Sequence, residues 1–98
     1  MRKNLKMTLV NYKGELITDD KGNNQLMCDI IGVQLFAAGG KQELTPGEKL
    51  QAYRLCTRLQ VSPEDIELSA EDITLIKKVV NDSYVADIYG QIVDWLEK

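Results

Sequence analysis

The 98-residue sequence predicts a small α+β domain, mostly helical, with an N-terminal β-hairpin followed by three to four helices. Three observations lead to this prediction. Strand-favouring and turn residues alternate before position 25, apolar residues recur at helical spacing after it, and two helix starts carry recognisable caps. The length is that of one domain, so we expect a single domain over residues 1–98, made of a hairpin unit (1–24) and a helical part (25–98).

The hairpin is predicted between Met7 and Thr18. Strand-favouring residues fill positions 7–12, Lys13-Gly14 supplies turn material, and a second strand follows at 15–18. Residues 19–24 form another turn cluster rich in Asp, Asn and Gly. Two strands alone are marginal in water, so this hairpin must lie on an apolar surface. No internal repeat is recognised.

A first helix is predicted over residues 26–36, which are apolar nearly all round. Asn24 would cap its start and Ala37-Ala38-Gly39-Gly40 would end it by supplying a left-handed residue. The branched residues Ile30, Ile31 and Val33 keep a buried strand open as the competing interpretation. A helix this apolar lies either in the centre of the core or in a subunit contact.

The second helix has the clearest start in the chain, Thr45-Pro46-Gly47-Glu48. Threonine at the N-cap, proline at the next position and glutamate at the third form a capping box. Its predicted core face consists of Ala52, Leu55, Cys56 and Leu59, with Leu50 and Tyr53 beside them. Its basic residues Lys49, Arg54 and Arg58 form a stripe that is either simply solvated or a docking site for acidic groups.

The remainder of the chain contains two further predicted helices. Pro63 ends the second helix, and residues 66–68 can form an extended segment that meets the hairpin. Ser69 caps a third helix with acidic residues in its first turn. The last helix starts at about Tyr84. Gly90 in its middle costs about 0.8–1 kcal/mol relative to alanine, so close approach of another helix or strand is expected there, with a kink at a binding surface as the alternative.

The composition argues against an enzyme. The chain has no histidine, which removes the commonest general base and metal ligand. Cys28 and Cys56 lie in apolar stretches without a basic partner, so we interpret both as packing residues, free in a reducing compartment. The 19–24 cluster lacks the glutamate of an EF-hand loop, because position 28 is cysteine. We predict no catalytic residue, no cofactor and no metal.

The charge is unevenly distributed along the chain. Residues 1–60 contain nine Lys and Arg against six Asp and Glu, whereas residues 61–98 contain three against nine. The acidic C-terminal third is either a solvated surface or a surface for a basic partner, and direct nucleic-acid binding is not expected. No secretory signal follows the basic start, and no window reaches the apolar length of a membrane span, so we expect a cytoplasmic location.

The last helix carries the predicted partner-binding residues. Tyr84 and Trp95 are of the types enriched at protein contacts, because each has a large apolar body with a polar handle. Trp95 lies off the face formed by Val85, Tyr89 and the other core positions, although a lone tryptophan can also fold back onto the core. Asp87 and Asp94 would add charge complementarity.

Four segments of the chain resemble small proteins of tailed bacteriophages and prophages. They are KGE-I-D-KG at 13–22, GEK-Q-Y-L at 47–55, ELSAEDITLIKKVV at 67–80 and Y-ADIYGQIVDWLE at 84–97. The sequence departs from that pattern at Cys28 and at 36–43. The resemblance implies the cytoplasm of a bacterial host as the setting and carries over no catalytic or binding residue.

These observations predict a phage or prophage accessory protein that binds another protein, of the host or the phage, or itself, as an adaptor or inhibitor. The contact would use the last helix and the apolar first one. Two alternatives stay open. One is a virion-assembly chaperone or oligomeric structural protein of the tail or head, and the other is an acidic mimic of nucleic acid, which needs the carboxylates of residues 61–98 to form one continuous surface.

Overall fold

The computed structural model describes residues 1–40, 43–81 and 86–98. Its elements in chain order are β1 (Arg2–Lys3), α1 (Met27–Phe36), α2 (Pro46–Val61), β2 (Ile66–Glu67), α3 (Ala70–Asn81) and α4 (Ala86–Leu96). Together with an antiparallel bridge between Val10 and Leu16, they make an α+β domain that is mostly helical, with an N-terminal hairpin and four helices among the described residues. The predicted fold class is confirmed.

The hairpin turn is shaped by its own side chains. The Asn11 amide donates to the Glu15 carbonyl at 2.8 Å, and the Asn11 side-chain oxygen accepts from the amides of Lys13 and Glu15 at 2.9 and 3.0 Å. Gly14 has a φ of +82°, a left-handed value that other residues adopt at a cost. The Lys13-Gly14 pair is therefore the turn that the sequence predicts.

The same turn recurs eight residues later. The Asp19 carboxylate accepts from the amides of Lys21 and Asn23 at 2.9 and 3.0 Å, and Gly22 again has a φ of +82°. The two turns share only an Asn or Asp with Lys-Gly two residues on, so they are one kind of turn used twice.

Segments 7–11, 15–19 and 23–27 close into a small unit that we call the β-triangle. The Leu9 amide donates to the Gln25 carbonyl at 3.2 Å, and the Gln25 amide donates to the Ile17 carbonyl at 2.8 Å. The Ile17 amide donates to the Leu9 carbonyl at 3.0 Å, which completes the cycle. Each segment thereby pairs with both of the others. Leu9 is fully buried, so the β-triangle lies on the helical core as the hairpin prediction required.

The extended segment after α2 pairs with the start of the chain and not with the hairpin. β1 and β2 are antiparallel, with Arg2 opposite Glu67 and Lys3 opposite Ile66. Residues 66–68, which the sequence allowed to meet the hairpin, do not pair with it, because the hairpin segments satisfy their backbone groups within the β-triangle. The Arg2 guanidinium also lies 3.2 Å from the Asp65 carboxylate, which favours the pairing observed.

α1 is a helix, as preferred over a strand, but Asn24 does not cap it. The N-cap is Leu26, which provides no side-chain acceptor. The amides of Met27 and Cys28 instead donate to the carbonyls of Met7 and Leu5, both at 2.8 Å. The first donors of a helix need partners, and here the preceding backbone supplies them. At the other end Gly39 adopts the left-handed φ of +93° that was predicted.

α2 and α3 begin as predicted. Thr45 and Glu48 form the reciprocal capping box, with hydrogen bonds of 3.0 and 3.1 Å, and Pro46 opens the helix. Ser69 caps α3 by accepting from the Asp72 amide at 3.1 Å. α1 packs against α2 and α3, and α3 packs against α4. Fully buried residues from every helix and from the N-terminal segment share one core, among them Leu5, Ile31, Leu55, Ile76 and Ile92.

The explanation offered for Gly90 is wrong. Apart from the chain neighbours and the backbone of α4 itself, no described atom lies within 4 Å of the position that a Cβ would take there, so no close approach of another described element requires glycine. Residues 82–85, including Tyr84, lie outside the described residues. None of the described helices combines the length and the apolar character needed to cross a membrane.

Candidate functional site

One side of α1 exposes large apolar side chains. Phe36 is 72% exposed and Val33 is 63% exposed, while Ile30, Ile31 and Leu35 on the other side are buried. Val33 and Phe36 follow Asp29 at four and seven residues, so the three form one stripe along the helix. The helix therefore serves the core with one side and presents an apolar surface with the other.

This stripe borders an apolar groove between α1 and α2, which we call the α1–α2 groove. Its volume is about 800 Å³. The lining residues that matter here are Cys28, Gly32, Val33, Phe36, Cys56 and Leu59, with Pro63 at one end and Asp29 and Gln60 as polar neighbours. The two helices lie close together, because the Cys56 thiol donates to the Gly32 carbonyl at 3.5 Å.

Both cysteines lie in this groove as free, buried thiols. Burial raises the pKa of the Cys28 thiol, and the neighbouring Asp29 carboxylate raises it further. Burial also raises the pKa of Cys56. Both are protonated at neutral pH and so are weak nucleophiles, because the thiolate is the reactive form. The groove offers apolar contact surface without an activated thiol.

Trp95 is engaged by the fold itself. Its indole nitrogen donates to the Asn4 carbonyl at 2.7 Å, and its ring packs against the edge of the core. The ammonium groups of Lys3 and Lys98 lie 5.7 and 5.0 Å from the ring centroid, within cation–π range. A partner that contacts this ring must displace or share those lysines. The role of Trp95 as a partner anchor stays a prediction.

Of the other predicted contact residues, the structure places Asp87 and Asp94 on one side of α4, whereas Tyr84 is not described. Asp87 and Asp94 are both exposed and seven residues apart, so they share the solvent side of α4, with Trp95 at its flank. The Asp87 carboxylate accepts from the Ile88 amide at 2.7 Å. Tyr84 lies outside the described residues.

Several carboxylates of the acidic C-terminal third form ion pairs, with Arg2 and Arg58 from earlier in the chain and with Lys77 from the same third. Asp65 pairs with Arg2 at 3.2 Å, Asp72 pairs with Arg58 at 3.0 Å, and Glu97 pairs with Lys77. Glu67 pairs with Arg2 at 3.6 Å. These four carboxylates lie beside positive charge, whereas nucleic-acid mimicry needs the carboxylates of residues 61–98 to form one continuous acidic surface.

The groove was missed at the sequence level, although one signal pointed to it. Asp29 is the single charged residue of α1 and therefore marks the solvent side of the helix. Projecting four and seven residues onward from it selects Val33 and Phe36. The stripe was difficult to recognise from the sequence, because α1 is apolar at both its core and its surface positions.

Among the residues that the structure describes, no group of three or more cysteine or carboxylate side chains could hold a metal ion. Comparisons with protein families, curated proteins and solved structures found no match for this chain. The function is therefore argued from the geometry above.

Proposed function

We propose that the protein acts by protein–protein interaction and holds an apolar helical segment of another protein in the α1–α2 groove. The observation that carries this proposal is the 72% exposure of Phe36 beside an apolar groove. Large aromatic side chains at a concave apolar surface are typical of binding sites, since their burial on contact contributes much of the affinity.

The size and chemistry of the groove fit such an occupant. Its volume of about 800 Å³ accommodates several side chains. Amphipathic helices insert residues spaced three and four apart into grooves of this kind. Asp29 at the rim would pair with a basic or amide side chain of the occupant. Burial raises the pKa of both thiols, so they add to the apolar contact surface of the groove.

The resemblance to proteins of tailed bacteriophages supplies the setting of the proposal. The partner would be a host or phage protein in the bacterial cytoplasm, and this protein would act on it as an adaptor or inhibitor. The exposed side of α4 with Asp87 and Asp94, together with Trp95 and Tyr84, would form a second contact region.

The test compares exposed aromatic residues at two places. Tagged wild type, Phe36→Ser and Tyr12→Ser are used to isolate partners from infected or lysogenic cells. Tyr12 is almost fully exposed in the hairpin turn, so its substitution is the matched control. We expect one protein to bind wild type and Tyr12→Ser, and to bind purified Phe36→Ser about tenfold more weakly or worse.

An identical set of bound proteins for all three variants would show that the groove is not the contact surface. The same purification with Trp95→Ala and Asp94→Lys tests the α4 region separately. Light scattering at several concentrations addresses the assembly alternative, because a constitutive ring or dimer favours a virion-assembly role and a stable monomer favours an adaptor or inhibitor.

A further inference from the structure

α2 has a second apolar stripe on the side opposite the core. Val61 is 79% exposed and Tyr53 is 59% exposed, and Leu50 is about half exposed. With Thr57 they are spaced at three, four and four residues, which places them along one side of the helix. A surface helix with a single packed side would carry polar residues at such positions.

The charged residues that α2 itself places beside this stripe, Lys49, Arg54 and Arg58, are positive. The single acidic residue of α2, Glu48, is held in the capping box and lies 3.3 Å from the Lys78 ammonium. Arg58 pairs with Asp72, but Lys49 and Arg54 have no ion-pair partner among the described residues. The outer side of α2 therefore combines apolar groups with two cations, Lys49 and Arg54, that no carboxylate of the described residues pairs with.

A shallow depression of about 630 Å³ lies on this side, lined by Gly47, Leu50, Tyr53, Arg54, Thr57 and Arg58, with Gln51 at its margin. Tyrosine and arginine are the residue types that most often dominate binding energy at protein contacts. The Arg54 guanidinium can form paired hydrogen bonds with a carboxylate.

We propose that the outer face of α2, made of Leu50, Tyr53, Arg54, Thr57 and Val61, binds an acidic amphipathic helix of a partner protein. The apolar residues of that helix would pack on Leu50, Tyr53 and Val61, while its carboxylates pair with Arg54 and Lys49. Charge complementarity selects this occupant, because a basic or neutral helix would leave both cations without partners. This face is distinct from the α1–α2 groove, so the proposal does not depend on the proposed function.

The test uses two synthetic peptides of 16 residues, the length of α2. Both carry leucine at helical spacing; one has glutamate at the remaining positions and the other has lysine. Binding of each labelled peptide is followed by fluorescence anisotropy. We expect the glutamate peptide to bind and the lysine peptide not to bind. Arg54→Glu and Tyr53→Ser should each weaken binding about tenfold, and added salt should weaken it further.

Lys13→Glu is the matched control, because it makes the same change of charge at the exposed hairpin turn. It should leave binding unchanged, and far-ultraviolet circular dichroism checks that all variants are folded, with Arg54→Gln as a milder substitute for Arg54→Glu.

The proposal would be overturned if the two peptides bound equally well or if the glutamate peptide did not bind. It would also be overturned if Lys13→Glu weakened peptide binding as much as Arg54→Glu does. A wild-type dimer in light scattering that Arg54→Glu dissociates would overturn it as well, since a second copy would then occupy the face.

Discussion

Asp72 is a buried carboxylate that joins α2 to α3. It accepts hydrogen bonds from the Ser69 amide at 3.0 Å, the Gln51 side-chain amide at 3.1 Å and the Arg58 guanidinium at 3.0 Å. Burial acts to raise the pKa of this carboxyl, but the three hydrogen bonds and the Arg58 charge together outweigh it and lower the pKa. The folded state therefore favours the ionised form.

Asp72→Asn should lower the free energy of unfolding at pH 7 by about 2 kcal/mol, because hydrogen bonds to a charged group are lost. In the wild type this contribution is complete above the unfolded-state pKa of about 4, and it is lost as the pH falls through the lower folded-state pKa. When urea unfolding is measured from pH 7 to pH 2, the free energy of unfolding should fall less in Asp72→Asn than in wild type. Glu71→Gln, at the exposed neighbouring position, should behave as wild type.

Alanine substitution of Gly90 and of Gly22 should change the free energy of unfolding in opposite directions. Gly90→Ala should raise the free energy of unfolding by about 0.8–1 kcal/mol, because the helix interior is open there and alanine favours helix. Gly22→Ala should lower it by about 1–2 kcal/mol, because a side chain disfavours the positive φ. Thermal unfolding checks both. If Gly90→Ala were less stable than wild type, close approach of another element would again be the explanation for this glycine.

At the scale of elements, the helices differ in how their starts are satisfied. α2 and α3 use side chains within their own first turns, whereas α1 uses the carbonyls of Leu5 and Met7 from a distant part of the chain. Caps of the first kind were predictable because they depend on neighbouring residues. The start of α1 was not, because the donors of Met27 and Cys28 are satisfied only once the N-terminal segment has folded over them.

This difference gives a paired prediction. Thr45→Ala should lower the free energy of unfolding by about 1 kcal/mol, because it removes the cap of α2. Asn24→Ala should change it by less than about 0.5 kcal/mol, because the exposed Asn24 side chain caps nothing. Chemical unfolding of both variants measures the contrast, and equal losses would show that Asn24 contributes to the start of α1 after all.

At the scale of the whole molecule, the N-terminal segment is attached to α4 by two side chains. The Gln91 side chain accepts from the Val10 amide at 2.9 Å and donates to the Val10 carbonyl at 2.8 Å. Trp95 donates to the Asn4 carbonyl at 2.7 Å. These contacts join parts of the chain that are 81 and 91 residues apart, so they cooperate in closing the fold.

Gln91→Ala should lower the free energy of unfolding by about 1–3 kcal/mol, because both backbone groups of Val10 lose their partner. Trp95 is the sole tryptophan, so its fluorescence reports on this attachment. In the wild type, urea unfolding followed by fluorescence and by circular dichroism should coincide. In Gln91→Ala the fluorescence transition should come first. Coincident, unshifted transitions in the variant would show that the attachment does not depend on Gln91.

Features that depend on the whole molecule were also the hardest to predict from the sequence. The helices and the hairpin follow from local periodicity and turn residues, but the pairing of β1 with β2 depends on which distant backbone groups remain unsatisfied. The candidate site is of the same kind: α1 was predicted to be apolar nearly all round and α2 to have an apolar face, yet the groove depends on how the two helices meet, with Cys56 donating to the Gly32 carbonyl.

The cyclic pairing of the β-triangle bears on solubility. Sheets with an open edge can recruit a strand from another molecule and grow into aggregates. Within residues 7–27 each extended segment has a neighbour on both sides, so the unit presents no long unpaired edge for such growth. We therefore expect little intermolecular sheet formation through residues 7–27 in concentrated solutions of this protein.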